Sequence, residues 1–313
     1  MAEPRRLKEL FDAINQRARF PAEPHVVALS GGADSAALAF IADRGSDTKP
    51  RCVHVHHGLK ASDALAEAAV AIARMLEMTC DVVSVVVPEG ASPEAKAREA
   101  RYRALEGAIA GDEHLLLGHT RNDQAETVLL NLIRGAGLRG LSGMPYQRAS
   151  RVFRPILDVT RDETRELAGL LGLPFVDDPT NHDMSLRRNF VRTELIPRME
   201  ELNPNVVEAL ARTAEHVRGD SEYLDRMQPA PVLADGTTAQ AATGVLLVLD
   251  PPLRARAIAA LVGSFREKAA VSAAELARVE EVLAGVSAAA ELEGGLTVVK
   301  RGAYLVVASG ELR

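Results

Sequence analysis

Between residues 25 and 118 four short β-branched runs alternate with three longer helical stretches, and that alternation admits few folds. HVVAL (His25–Leu29), RCVHVH (Arg51–His56), CDVVSVVV (Cys80–Val87) and HLLLG (His114–Gly118) read as strands. Ser35–Asp43, Ser62–Met78 and Pro93–Ala110, rich in Ala, Glu and Arg, read as helices, the third with Ser92 as N-cap and Pro93 at its first position. A β-α-β-α rhythm implies an α/β fold, a parallel sheet covered by helices on both faces. Ligands of such sheets bind beyond the carboxyl ends of the strands. The loops after Leu29, His56 and Gly118 are therefore where chemistry is expected.

After Thr127 the rhythm stops. A helix through Arg134 runs into a Gly-rich basic loop, GAGLRGLSGMP, and Thr160-Arg-Asp-Glu163 forms a capping box that starts a helix to about Leu171. DDPTNHD (Asp177–Asp183) reads as a polar turn before the helical SLRRNFVRTELIPRME, and a further helix is expected after Pro204. The composition of Asp220–Thr238 suggests a linker, followed by Ala-rich helix and two short strands around an Arg-Gly turn. At 313 residues the chain suits two domains, taken as 1–218 and a small α+β domain at 219–313.

No apolar run approaches the roughly 18–20 residues of a membrane span. The polar start, MAEPRRLKEL, lacks the apolar core of a secretion signal, so a cytoplasmic protein is expected. Cys52 and Cys80 lie inside β-branched runs and exclude a disulfide scaffold, a CxxC centre and a Cys-rich metal site; buried thiols are expected. The net charge of −6 argues against a nucleic-acid partner until its distribution is read. From Thr127 to Leu157 there is no acidic residue among the 43 in the chain, while Arg134, Arg139, Arg148, Arg151 and Arg154 all fall there. Such a stretch reads either as a solvated basic loop or as a phosphate-binding stripe.

The sharpest local feature is SGGADS: Ser30, Gly31, Gly32, Ala33, Asp34 and Ser35, directly after the first strand and opening a helix. Glycines let backbone N–H groups close on an anion, and a helix start favours negative charge. No Gly-Lys dipeptide occurs, which excludes the common lysine-bearing P-loop and suits a site that grips pyrophosphate as a leaving group. Gly135–Gly140 matches the letters of a dinucleotide fingerprint but follows a helical stretch, the wrong context for one. Asp123 and Glu126 are i,i+3 and share a helix face, which suits either a helix-start charge effect or metal or amine binding, with His119 at the strand end. His56 and His57 point to opposite faces of a strand end, a poor chelate, and read as contacts to a base. Arg98 and Arg101 share a helix face beside Tyr102; a solvated face explains them equally well. Arg188 and Arg192, i,i+4, converge as phosphate ligands or form surface ion pairs.

Together these motifs resemble one family. SGGADS is similar to the SGGxDS loop of N-type ATP pyrophosphatases. His119-Thr-Arg-Asn122-Asp123-Gln124-Ala-Glu126-Thr127, the run Arg134–Met144 and Arg187-Arg188-Asn189-Phe-Val-Arg192 resemble the motifs of the tRNA(Ile)-lysidine synthetase family. The resemblance covers about residues 24–200, with Asn122 standing where that family usually has the first of two acids. It implies a pyrophosphatase-like nucleotide-binding domain followed by a small C-terminal domain that is structural or contacts tRNA.

The implied reaction has two steps. ATP adenylates the carbon-2 oxygen of the wobble cytidine of an isoleucine tRNA, and free L-lysine then displaces AMP. Implied roles are ATP binding by Ser30–Ser35, His56, His57 and His119, Mg²⁺ at Asp34 and Asp123, and bracing of phosphates by Arg188 and Arg192. Asp123 is expected to lean to the first step and Glu126 to the lysine ammonium, while Arg134, Arg139, Arg148 and Arg151 contact tRNA. A monomer or homodimer fits. The alternatives are a related tRNA-cytidine thiolase, which usually needs cysteine pairs or an iron–sulfur cluster, a small-molecule amide ligase, and a non-catalytic tRNA-binding relic.

Overall fold

The computed structural model describes the chain apart from residues 1, 46–47, 59, 87–92, 149–150, 179–182, 184, 228–231, 236, 267–270 and 311–313. Ser92, the far end of the third expected strand, most of the DDPTNHD turn and part of the expected linker fall outside the described residues. The chain divides into two compact units, Met1–Arg218 and Gly219–Arg313.

In the first unit, α1 (Ala2–Asn15) precedes β1 (His25–Ala28), α2 (Ala33–Gly45), β2 (Arg51–His56), α3 (Lys60–Met75), β3 (Cys80–Ser84), α4 (Pro93–Gly107) and β4 (His114–Leu116). Then come α5 (Arg121–Ile133), the short α6 (Leu138–Leu141), β5 (Gln147–Arg148), β6 (Val152–Phe153) and α7 (Arg161–Leu170). The strands form one sheet in the order β3-β2-β1-β4-β6-β5. All neighbours are parallel except the β5–β6 pair. The order steps outward from β1 in both directions, so the crevice between the ends of β1 and β4 is the switch point where a ligand fits.

Burial on both faces explains the near-continuous apolar strands. Val27, Leu29, Cys52 and Leu116 pack under α1, α2, α3 and α7 with Ile14, Ile41, Ile72 and Leu167. Val26, Val53, Val55, Leu115 and Leu117 pack on the other face against Tyr102 and Leu105 of α4. Alternate residues of β1 and β4 thus serve opposite cores, as the period-2 geometry of a strand requires.

Beyond α7 the chain forms α8 (Arg187–Phe190), a π-turn at Val191–Leu195, α9 (Ile196–Glu200) and α10 (Val206–Arg226). Pro197 sits in the first turn of α9 and brings no N–H to the helical ladder, a local reason for the register to open into a π-turn. α10 carries seven residues of the expected linker as helix, Asp220–Arg226, because its apolar spacing continues past Asp220. The second unit holds β7 (Leu233–Ala234), β8 (Thr238–Ala242), α11 (Thr243–Val248), α12 (Pro251–Gly263), α13 (Ala273–Ala284), β9 (Ala289–Leu292), β10 (Leu296–Arg301) and β11 (Tyr304–Ser309). Its antiparallel sheet, in the order β7-β8-β11-β10-β9, packs one face on Ile258, Leu261, Val279 and Val282 of the helices. The last two strands meet the sequence expectation; β7, β8 and β9 are additional.

Candidate active site

The turn from β1 into α2 is held open by its own polar groups. Ser30 Oγ and Ser35 Oγ lie 2.9 Å apart, Ser35 Oγ accepts from the Ser30 amide at 3.1 Å, and it donates to the Gly32 carbonyl at 2.9 Å. Gly31 adopts φ +90°, and a Cβ there would lie 2.3 Å from the Leu65 carbonyl oxygen, so only glycine fits. Gly118, just past β4, is similarly confined: a Cβ would lie 3.2 Å from the Asp34 backbone. The two strand ends therefore press together. Above them opens a cleft of about 510 Å³, lined by Ser30, Gly32, Ala33, Asp34 and Ser35 on one wall and His119, Asp123, Arg161 and Arg192 on another.

Beside this cleft lies a dense cluster of opposite charges. Thr120 caps α5, and its amide and hydroxyl donate to Asp123 Oδ2 at 2.8 and 3.0 Å. Asp123 Oδ1 accepts from Arg161 at 3.1 Å and Arg188 at 3.0 Å. Glu126, one turn on, has a side chain with no solvent exposure. Its Oε1 accepts from Arg161 at 3.1 Å and Arg192 at 2.7 Å, and its Oε2 from Arg188 at 2.7 Å and Arg192 at 3.2 Å. Burial pushes the Asp123 carboxyl up, but Arg188 and Arg161 more than offset this and hold it below the ordinary range. The arginine pair expected at 188 and 192 thus converges on carboxylates.

Asp34 completes the cluster. Its Oδ1 accepts a short hydrogen bond from Thr164 of α7, and Arg161 Nε stands 3.7 Å from Oδ2. Burial, with the nearby Asp123 charge, lifts its carboxyl to about 6. Asp34, Asp123 and Glu126 against Arg161, Arg188 and Arg192 give three charges of each sign. Arg161 and Thr164 escaped the sequence reading. They sit at the start of α7, whose capping box was legible, but nothing local marks that this helix start reaches back to the loop after β1.

A smaller recess adjoins the cleft, sharing Ala28, Ser30, Leu65, Arg101 and Asp178 with it. His54 and His57 line it, and burial lowers the proton affinity of both. His56 does not line it: its Nε2 contacts Asp63 of α3 at 2.9 Å, and its Nδ1 accepts from the Gly58 amide at 3.1 Å. His119 faces the main cleft, where burial lowers its proton affinity and its Nδ1 is buried without a hydrogen-bond partner.

Residues 3–199 match the family model of the PP-loop domain. A tRNA(Ile)-lysidine synthase of Salinispora tropica is 42% identical over 303 residues, covering 90% of this chain and 90% of that protein. One from Streptomyces coelicolor is 39% identical over 308 residues, covering 93% of this chain and 87% of that one. The chain belongs to the tRNA(Ile)-lysidine synthase family. Among solved structures, the U34-tRNA thiolase NcsA of Methanococcus maripaludis with its 4Fe–4S cluster has a TM-score of 0.55 at 18% identity. It covers 67% of this chain and 79% of that one, a likeness of fold alone.

The expected basic stripe is only partly on the surface of this lysidine synthase family member. Arg134 and Arg139 are exposed. Arg151 instead donates to the carbonyls of Gly111 at 2.7 Å, Glu113 at 3.1 Å and Ala110 at 3.3 Å, tying the start of β6 to the loop that enters β4. Arg148 stacks over the Tyr102 ring at 5.1 Å, and Arg154 is buried with its guanidinium on the Pro145 carbonyl. An acid-free sequence can arise because arginines serve backbone carbonyls as well as ligands.

The expected metal pair also separates. Each oxygen of Asp123 already takes two hydrogen bonds, leaving no lone pair for a cation. Asp34 lines the cleft, and its Oδ2 stands 3.7 Å from Arg161 Nε, beyond hydrogen-bond distance. Among the described residues no group of three His, Cys, Asp or Glu is arranged to hold a metal. The donor set fits an ion held by one carboxylate and substrate phosphates, the usual Mg²⁺ arrangement, and does not fit an all-protein cage.

The position of Asp34 has a measurable signature. With the folded carboxyl at about 6 against 3.8, the folded state holds an extra proton between those values. That contribution is present at low pH and is lost as pH rises through 6, leaving a buried charge that costs on the order of 3 kcal/mol. Asp34→Asn should therefore raise Tm at pH 8, in protein free of nucleotide and metal, and the gain should vanish near pH 4. A variant no more stable than wild type at pH 8 contradicts the assignment.

Proposed function

We propose that this chain is an ATP-dependent carbon–nitrogen ligase that converts the wobble cytidine of an isoleucine tRNA to lysidine with free lysine. The observation that carries the reading is the cleft itself, where an anion-binding turn without lysine faces a set of arginines across the ends of β1 and β4. The names of relatives at about 40% identity over nine-tenths of the chain support the substrate.

In this reading the N–H groups and hydroxyls of Ser30–Ser35 take the pyrophosphate portion of ATP. The recess of His54 and His57 takes the base. Mg²⁺, held by Asp34 and phosphate oxygens, would supply charge neutralisation on the leaving pyrophosphate. The cytidine carbon-2 oxygen attacks the α-phosphorus, the bond to the bridging oxygen breaks, and pyrophosphate leaves. The lysine ε-nitrogen then attacks carbon 2 and AMP departs with the oxygen. Asp34, with its carboxyl near 6, is suited to accept the proton from the attacking amine once pyrophosphate has gone.

In this reading Glu126 does not receive the lysine ammonium. It does not line the cleft, and both its oxygens are occupied by guanidinium groups. Its role in this reading is to fix the three arginines. A thiolase reading is less favoured by the cysteines. Cys52 and Cys80 face each other in the register of β2 and β3, but burial pushes both thiols up, Cys80 to about 11, which disfavours a nucleophilic thiolate.

Radiolabelled lysine, ATP and unmodified isoleucine tRNA should yield label in the RNA with stoichiometric AMP and pyrophosphate. Pyrophosphate release that never places lysine in RNA contradicts the reading. For RNA contacts, Arg134→Ala and Arg139→Ala should each lower the slope of log affinity against log salt by about 0.7–0.9. Arg151→Ala should leave that slope unchanged and instead lower stability by about 1 kcal/mol, since it removes hydrogen bonds that tie the start of β6 to the loop before β4. A reversed pattern would return Arg151 to the RNA surface.

A further inference from the structure

The first turn of α5 serves two directions. Asp123 and Glu126 meet the arginines beside the cleft, whereas Arg121 and Asn122 reach the segment that enters α7. The Arg121 amide donates to the Val159 carbonyl at 2.8 Å, and its guanidinium donates to the Asp158 carbonyl at 2.5 Å. Asn122 Oδ1 accepts from the Arg161 amide at 2.9 Å. That amide is the first N–H of α7, one of the donors that a helix start cannot satisfy from within. The capping box meets the Thr160 and Glu163 amides and leaves that of Arg161 to an acceptor outside the helix. Asn122 supplies it from 39 residues away in sequence.

The same turn of α7 carries two side chains of the site. The Arg161 guanidinium donates to Asp123 and Glu126 at 3.1 Å each, and the Thr164 hydroxyl donates to Asp34. A shift of that turn would move both. We propose that Asn122 is a positioning residue: through the Arg161 amide it fixes the start of α7, and with it the two side chains that hold Asp34, Asp123 and Glu126 in place. It acts through α7 and does not itself line the cleft. Its effect on the reaction rests on the reading of the cleft given above. The position requires an acceptor oxygen and no charge, because three acids already balance three arginines beside it. A carboxylate would offer the same oxygen, and the two helix starts flanking it favour negative charge, so amide and acid are interchangeable there.

Full-length wild type, Asn122→Ala and Asn122→Asp separate this role from others. Hydrogen exchange at the Arg161 amide reads the contact without substrate. Asn122→Ala should speed that exchange by about tenfold or more, and Asn122→Asp should keep it within about threefold of wild type. In lysine transfer to tRNA, Asn122→Ala should lower kcat by about tenfold while KM for ATP stays within about twofold, and Asn122→Asp should restore kcat. The Mg²⁺ concentration for half-maximal rate should be the same in all three proteins. Unchanged exchange or unchanged kcat in Asn122→Ala overturns the proposal, as does an Asn122→Asp variant no better than the alanine one. A several-fold lower Mg²⁺ requirement in Asn122→Asp also overturns it and assigns position 122 to the metal. If wild type transfers no lysine to RNA, the functional reading falls, and the exchange rates alone decide whether Asn122 fixes α7.

Discussion

Glu126 holds the site together. Its carboxylate is wholly buried and receives four hydrogen bonds from three arginines, which come from α7, α8 and the π-turn. A buried carboxylate is expensive unless every lone pair is met, and here every one is. In return, three segments separated by as many as 31 residues of sequence, Arg161 to Arg192, are fixed to one turn of α5. Replacing one partner would strand buried charge of the other sign, a loss that runs to about 3–5 kcal/mol in comparable pairs. Satisfaction of the cluster therefore decides where the arginines that face the cleft can point.

The neutral balance of the cluster also explains how three acids coexist beside a cleft proposed to take a polyphosphate. Asp123 and Glu126 are neutralised within the protein and present little field to a ligand. Asp34 is the acid held least tightly by cations, with Thr164 on one oxygen and a distant guanidinium near the other. The same desolvation that raises its carboxyl to about 6 makes it responsive to whatever enters: a cation favours its charged form, and an amine finds a base of suitable strength. Asp34 and Asp123, two helix-start carboxylates that look alike in sequence, thus differ in charge environment because of what reaches them from α7 and α8.

The parallel sheet and the SGGADS turn were legible because period-2 burial and glycine-rich turns are local signals, whereas the strand order around β1 is set by the crossovers and emerges only in the structure. β3 ends at Ser84, short of the expected Val87, which lies outside the described residues. α1 was not expected from the sequence, although Leu7, Leu10, Phe11 and Ile14 carry its apolar stripe, because the charged residues of the start interrupt that spacing. Non-local features were not legible. Whether Arg151 reaches an RNA phosphate or the carbonyls of Ala110–Glu113 depends on β6 lying beside β4. Whether Arg188 and Arg192 hold phosphate or Glu126 depends on α8 folding back over α5. Arg161 and Thr164 belong to a helix with an ordinary capping box, and only the parallel sheet brings that helix to Asp34.

The most direct test of this account separates the two steps in a folded Glu126→Gln variant. Single-turnover reactions would follow pyrophosphate release and lysine incorporation independently, with tRNA affinity and thermal stability measured alongside. If Glu126 positions the arginines, both steps fall together, extra lysine rescues neither, and tRNA binding is largely retained. Normal pyrophosphate release with a lysine step restored by high lysine concentration would contradict the account and place the lysine ammonium on Glu126.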